Sequence, residues 1–306
     1  MGVCERNGIP TPRYRIERGA VGYRVVGAGF LEWEATLEEA MACRDELEWP
    51  GWHYSLLPPI ESENPGSPPG EAVVYGPVAS RRLGRSLGVN LVPPGARVCS
   101  FDCVYCDVCG EARWSGWPTV DRIESALAKV LAQAGALDSI TISGDGEPTL
   151  HPRFAAAVAA VLRVARRMRS DVPVRILTNG SSAVHAEVRR ALDRLDERIV
   201  MLDAAAEHVD RPSRDCPLGA IVHALLLLKD VTVQACFIDG AVSNVRCDSI
   251  RRWVDLVQEV RPRAVQITTI DRAPWKSDVR PVSQDQLEEI ACLLRERTGI
   301  EAGIFA

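Results

Sequence analysis

From residue 71 onward the chain alternates between short apolar segments and longer segments whose apolar residues recur at helical spacing. This alternation constrains the fold more than any other feature, because strand–helix–strand repeats set parallel strands side by side and send each helix across the sheet face. The pattern predicts strands over 87–92, 139–143, 174–178, 198–203, 231–238 and 264–269. The helices it predicts cover 120–134, 152–168, 183–192, 219–228, 249–260 and 283–297. In the last of these, Ser283 and Gln286 mark the start, and Leu287, Ile290, Leu293 and Leu294 the buried face. Repeats of this kind suit an α/β fold, either a partial barrel or a doubly wound sheet. In both, the loops that follow the strands carry function.

The first seventy residues follow a different rule. Residues 14–17 and 21–26 read as strands joined by a tight turn at Gly19, and Thr36 with Glu39 forms a capping box for a helix over 37–47. Pro50 and Gly51 stop that helix, and Trp33, Trp49, Trp52 and Tyr54 supply large rings for a small core around it. Residues 58–70 are rich in proline and glycine and read as a linker. The organisation expected is a small N-terminal α/β unit over 1–57, the linker over 58–70, and the repeat domain over 71–306.

Composition excludes several classes. Apolar residues make up 46% of the 306, enough for a sizeable core. The net charge of −5 gives no global attraction to nucleic acid, although a local basic patch is compatible with it. No stretch approaches the roughly twenty apolar residues of a spanning helix, and the N-terminus lacks the order of a signal peptide. We therefore expect a cytoplasmic protein without membrane contact, in which the ten cysteines serve as metal ligands or buried thiols rather than disulfides.

The chemistry concentrates in CSFDCVYCDVC, residues 99–109. Cys99, Cys103 and Cys106 follow a predicted strand in a three-then-two spacing, so one short loop can offer thiolates to three corners of an iron–sulfur cube and leave the fourth iron open. The alternative is a zinc or structural cluster completed by Cys109 or a distant cysteine. In SGDGEP, the glycines at 144 and 146 permit close backbone approach, and Glu147 can accept an ammonium group. It also reads as an ordinary strand-to-helix turn, with Pro148 near the start.

CSFDCVYC is similar to the cluster-binding loop of the radical S-adenosylmethionine (SAM) superfamily. The resemblance runs over residues 74–300 and includes YGPVASRRLGRSLGVNLVP before the loop, LTNGS at 177–181 and MLDAA at 201–205. It implies a partial (β/α)6 barrel, a [4Fe–4S] cluster on Cys99, Cys103 and Cys106, and S-adenosyl-L-methionine as cofactor. Tyr105 would pack near the adenine. Ser143, Gly144, Asp145, Gly146 and Glu147 would meet the methionine amino group. The implied chemistry is reductive cleavage to methionine and a 5′-deoxyadenosyl radical, fed by a flavodoxin- or ferredoxin-like electron donor. Cleavage to a 3-amino-3-carboxypropyl radical and a non-catalytic iron–sulfur or zinc-binding protein are the alternatives. The ensemble resembles the group related to the wyosine tRNA-base synthetase. It departs from that enzyme in offering only Cys4 and Cys43 near the N-terminus and only Lys276 as a strand-end lysine.

Further candidates sit at later strand ends. Asn179, between Thr178 and Gly180, can present an amide to cofactor or substrate, or form a simple Asn–Gly turn. Asp203 is expected to point its carboxylate into the barrel mouth. Together with Cys109 and Lys276 it makes up the catalytic candidates. Arg81, Arg82 and Arg85, and likewise Arg211 and Arg214, read either as anion clamps or as solvated charge. Cys216, Cys236 and Cys247 could form an auxiliary cluster only if the fold gathers them. Cys236 and Cys292 read better as buried thiols. The acidic N-terminal unit favours a small-molecule or peptide substrate over tRNA, despite the basic run Arg163, Arg166, Arg167 and Arg169.

Overall fold

The computed structural model describes the backbone of residues 15–19, 22–27 and 30–34, and residues 73–94, 97–108, 116–204, 217–271, 274 and 278–306. The helix expected over 37–47, the side chains of the aromatic cluster and the linker lie outside the described residues. Near the N-terminus β1 (Arg15–Gly19), β2 (Gly22–Gly27) and β3 (Phe30–Glu34) form an antiparallel sheet. The first two match the expected hairpin, shifted by one or two residues. The third was not expected, and it supplies what a lone hairpin lacks, since two strands are marginal in water.

The second sheet contains β4 (Val74–Ser80), β5 (Gly84–Val89), β6 (Ser139–Ile142), β7 (Val174–Thr178), β8 (Glu197–Met201), β9 (Val231–Gly240), β10 (Ala264–Thr269), β11 (Val279–Pro281) and β12 (Ala302–Phe305). Its order is β12-β10-β9-β8-β7-β6-β5-β4, with β11 paired antiparallel to β9. Strands β5 to β10 are parallel and lie in sequence order. A doubly wound sheet reverses its order at a switch point. This one does not, so the crossovers all progress one way and the partial barrel is the correct alternative.

The curl of the sheet shows directly in a side-chain contact. Arg82, in the turn between β4 and β5, donates to the side-chain Oε1 of Gln234 in β9. In a flat sheet β5 and β9 would stand roughly 19 Å apart, beyond the reach of an arginine. Arg81 likewise pairs with Asp271, beyond the end of β10, at 3.0 Å.

The helices are α1 (Val120–Leu131), α2 (Phe154–Met168), α3 (Ala186–Leu192), α4 (Leu218–Leu226), α5 (Cys247–Val260) and α6 (Gln284–Thr298). Thr119 caps α1 by accepting from Arg122 N, and Ile123, Leu127 and Leu131 form its buried stripe at four-residue spacing. Ser283 caps α6 as expected, and Gly299 ends it in the left-handed conformation. None of the helices among the described residues is long and apolar enough to cross a membrane. The helix expected over 183–192 is instead a 3-10 turn at Ser181–Val184 followed by α3, because His185 takes an extended conformation between them.

The two faces of the sheet differ. Ile140, Ile176, Val233, Ala235, Phe237 and Ile267 are fully buried on the convex face. The concave face carries many more polar groups beside Leu177 and Ile199: Ser86, Ser139 and Thr141 share hydroxyl hydrogen bonds, and Glu197 accepts from both Arg175 and Thr232. The strand alternation missed β4, β11 and β12. β4 is an exposed edge interrupted by Gly76 and Pro77, and the others are three and four residues long.

Trp253 of α5 locks the helix layer to the sheet. It is 1% exposed, meets Phe237 edge-on at 5.2 Å, and donates from its indole nitrogen to the Leu202 carbonyl at 2.8 Å. Trp253→Ala is expected to cost about 3–5 kcal/mol in denaturant unfolding. Trp253→Phe, which keeps most of the volume, should cost clearly less, with the lost hydrogen bond contributing about 1 kcal/mol.

Candidate active site

The site forms where the loops after β5, β6, β7 and β8 meet. After β6, the chain turns through Ser143 to Gly146 and buries Glu147 at 2% exposure. Its carboxylate accepts four hydrogen bonds. Oε1 takes Thr149 N at 3.0 Å, Thr149 Oγ1 at 2.6 Å and Thr178 Oγ1 at 2.6 Å, while Oε2 takes Asn179 N at 2.7 Å. Burial pushes this carboxyl above its ordinary range, while the donors from Asn179, Thr149 and Thr178 pull it back towards the charged form. Three of the four donors crowd Oε1, and Oε2 takes one. Glu147 therefore ties the end of β6 to the end of β7, mainly through Oε1, while Oε2, with one donor, keeps acceptor capacity for a further N–H.

The cysteine loop is laced to both of these strand ends. Val98 bridges Gly146 in parallel, and Glu147 N donates to Val98 O at 2.8 Å. The approach is so close that a Cβ on Gly146 would stand 1.9 Å from Val98 O. On the other side, Asn179 Nδ2 donates to Ser100 Oγ at 3.0 Å and to Cys99 Sγ at 3.6 Å, and Ser100 shares a 2.6 Å hydroxyl bond with Ser181. Asn179 Oδ1 accepts from Ser181 N at 2.9 Å. The Asn179 amide is thus directed at the cysteine loop, within a turn that Gly180 completes in the left-handed conformation.

Cys99, Cys103 and Cys106 are free thiols, each half-buried. Although Cys99 keeps some surface, its thiol is deeply surrounded, and burial pushes it up to about 12, with the charge of Glu147 adding. A thiolate there needs compensating positive charge. Two N–H donors already address its sulfur, Phe101 N at 3.4 Å and Asn179 Nδ2. Arg97, paired with Asp102 at 2.7 Å, feels the charge of both Cys99 and Cys106. This donor set fits a sulfur-ligated cationic group. Among the described residues no three His, Cys, Asp or Glu side chains converge as a site for one metal ion. A four-iron cube offers each thiolate its own iron, so convergence on a point is not what it requires.

The remaining candidates are placed as follows. Tyr105 donates its hydroxyl to Asp203 Oδ2 at 2.5 Å, and Asp203 Oδ1 accepts from Cys236 N at 2.6 Å. Asp203 is 1% exposed, so its carboxylate tethers the cysteine loop to β8 and β9 instead of facing an open barrel mouth. Ser143 bonds the Tyr75 hydroxyl at 2.7 Å, and Asp145 accepts from Asn90 Nδ2 at 2.9 Å. Gly144 lies at φ +156°, with Asn90 filling the space a Cβ would need. Cys109, Lys276, Arg211, Arg214 and Cys216 lie outside the described residues. Cys236 is buried as expected, whereas Cys247 is exposed and Cys292 only half-buried. Sequence reading missed Tyr75, Asn90 and Arg97. Asn90 stands one residue beyond β5, and its position at a strand end was the available signal.

Gly146→Ala drives a Cβ into backbone and should cost about 1–3 kcal/mol, the range for overpacking. Hydrogen exchange should report the loss locally, as faster exchange across residues 97–108, with α5 and α6 unchanged.

Comparison with known proteins follows the geometry. The profile of the Radical SAM superfamily matches residues 94–241. A UPF0026 protein of Synechocystis is 30% identical over 209 residues, covering 63% of this chain and 74% of that protein. A GTPase Obg of Brachyspira hyodysenteriae is 26% identical over 242 residues, 76% of this chain, but the chain spans only 35% of that protein's length. The structure of TYW1 with a lysine–pyruvate adduct bound shares the fold, with a TM-score of 0.51 at 16% identity, over 69% of this chain and 73% of that one. The chain belongs to the UPF0026 family and to the radical SAM superfamily, whose chemistry is the reductive cleavage of S-adenosylmethionine to a radical that abstracts hydrogen.

Proposed function

We propose that Cys99, Cys103 and Cys106 hold a [4Fe–4S] cluster, and that the chain directs a 5′-deoxyadenosyl radical at a small-molecule or peptide substrate bound on the concave face of the sheet. The observation that carries this reading is the lacing of the cysteine loop to the β6 end through Val98–Gly146 and to the β7 end through Asn179. When bound, the cluster supplies one electron to the sulfonium of S-adenosylmethionine, breaking a carbon–sulfur bond.

The residues of the chain perform the positioning. The turn at 143–146 offers backbone groups at a strand end to the methionine amino group, and the Oε2 oxygen of Glu147, directly beyond, can accept from the same group. Asn179 stabilises the Cys99 thiolate with an N–H···S hydrogen bond. Asp203 fixes the Tyr105 hydroxyl and so sets the height of its ring, which we place against the adenine. Cys109 and Lys276 remain candidates for direct substrate contact. The electron donor is a flavodoxin- or ferredoxin-like protein.

A tRNA substrate is less well supported. Arg163 pairs with Glu124 and Arg166 with Asp196 on the outer surface, which neutralises part of the basic run. The TYW1 likeness supports a shared fold, and the departures at Cys4, Cys43 and Lys276 argue against the same reaction.

The test is anaerobic reconstitution followed by dithionite and S-adenosylmethionine, with products separated by chromatography. 5′-Deoxyadenosine is the expected product, and Cys103→Ala should reduce it to background. Methylthioadenosine would instead indicate the 3-amino-3-carboxypropyl radical. Neither product, with zinc as the tightly held metal, would overturn the assignment.

A further inference from the structure

The three arginines of the β4–β5 hairpin have separate fates. Arg85 is exposed, and Arg81 takes Asp271 as its ion pair. Arg82 turns inward and is half-buried, with its NH1 donating to the neutral side-chain amide oxygen of Gln234. No carboxylate among the described residues lies within ion-pair distance of Arg82. A guanidinium carries five N–H donors, and withdrawing its charge from water without a counter-ion is costly. Burial accordingly weakens the hold of Arg82 on its proton.

The position of this cation is informative. Phe237 packs on Trp253 beneath α5, so alternation places Gln234 and Cys236 on the opposite, concave face of β9. Cys236 packs with Val104 of the cysteine loop, and Tyr105 lies against the same cluster. Gln234 stands two residues earlier, roughly 7 Å down the strand. The Arg82 guanidinium therefore sits about one side-chain layer below the cysteine loop. Beside it, Gln266 of β10 is in register with Gln234, and its side-chain oxygen is buried without a hydrogen-bond partner. A half-buried cation with no carboxylate in ion-pair reach among the described residues, near enough to Asp271 only to feel its charge, and an acceptor lacking a donor thus share one level of the concave face.

We propose that Arg82 is an anion-binding residue of the substrate site, receiving a carboxylate or phosphate group of the molecule that the radical attacks, while Gln266 accepts a hydrogen bond from a neighbouring donor on it. The inference rests on the radical SAM reading for the word substrate, and the anion subsite itself is independent of that chemistry. Planar bidentate recognition of an oxyanion is the task for which arginine is better suited than lysine. A group anchored at this level leaves the rest of the substrate extending upward, towards Tyr105 and the cysteines.

The experiment titrates the full reconstituted chain by calorimetry with inorganic phosphate and, separately, with acetate. S-adenosylmethionine is present throughout to fill its own site. Saturable binding of at least one probe is expected: phosphate alone marks a phosphorylated substrate, and acetate alone or both mark a carboxylate. Arg82→Gln should weaken that binding by about tenfold or more, Arg82→Lys should retain part of it, and Arg85→Gln should leave it unchanged. Binding of neither probe, or equal binding by the wild type and Arg82→Gln, would overturn the proposal. The titration needs no turnover, so failure to form 5′-deoxyadenosine in a parallel assay would count against the radical reading alone.

Discussion

The site depends on one buried carboxylate. Glu147 gathers four donors from two segments that follow different strands, and it is the shared acceptor that fixes the end of β6 against the end of β7. The backbone that flanks Glu147 then supports the cysteine loop from one side, through Val98 and Gly146. Asn179, whose own N–H is held by Glu147, supports it from the other. A buried carboxyl group is costly unless its oxygens are hydrogen-bonded in this way. Removing any one donor therefore loosens a junction and not merely a contact. The geometry of the thiols is inherited from this junction, which lies outside the cysteine motif.

The second constraint is the division of the sheet into a mainly apolar convex face and a concave one rich in polar groups. A closed barrel fills its interior with branched apolar side chains. Here the helices bury the convex side, and the concave side carries hydroxyls, the Arg175–Glu197 pair, two glutamines and Arg82. Most of these polar groups satisfy one another, and those left over, the Gln266 oxygen among them, suit the surface to a polar ligand. Curling brings the β4–β5 hairpin to β9, so residues far apart in sheet order face the same space. The loop cysteines cover one end of it, and Asp203 holds the covering in place through Tyr105.

Much of this was legible in the sequence. The six parallel strands follow from apolar runs of four to ten residues, and β7 and β10 fall where the pattern put them. Cys99, Cys103 and Cys106 stand out by spacing alone, and Gly146 by its place at a strand end. What could not be read was the direction of each polar side chain. Glu147 and Asp203 sit in positions typical of ligand-binding carboxylates, yet tertiary neighbours distant in sequence, Asn179 and Tyr105, take up their oxygens. Arg81, Arg82 and Arg85 are indistinguishable as a run, because only the curl of the sheet decides which of them turns inward. The edge strand β4 was hidden by its exposed, interrupted pattern, a form that protects edges from unwanted pairing.

The central claim is that three thiolates of one loop, held by the Glu147 junction, carry a cluster with one iron left open. Mössbauer spectroscopy of protein reconstituted with iron-57 tests it most directly, with spectra taken before and after addition of S-adenosylmethionine. The account predicts about four irons per chain in a cubane, with one iron site changing its environment when the cofactor is added. A mononuclear iron signal, or a cubane whose sites are all indifferent to S-adenosylmethionine, would contradict it.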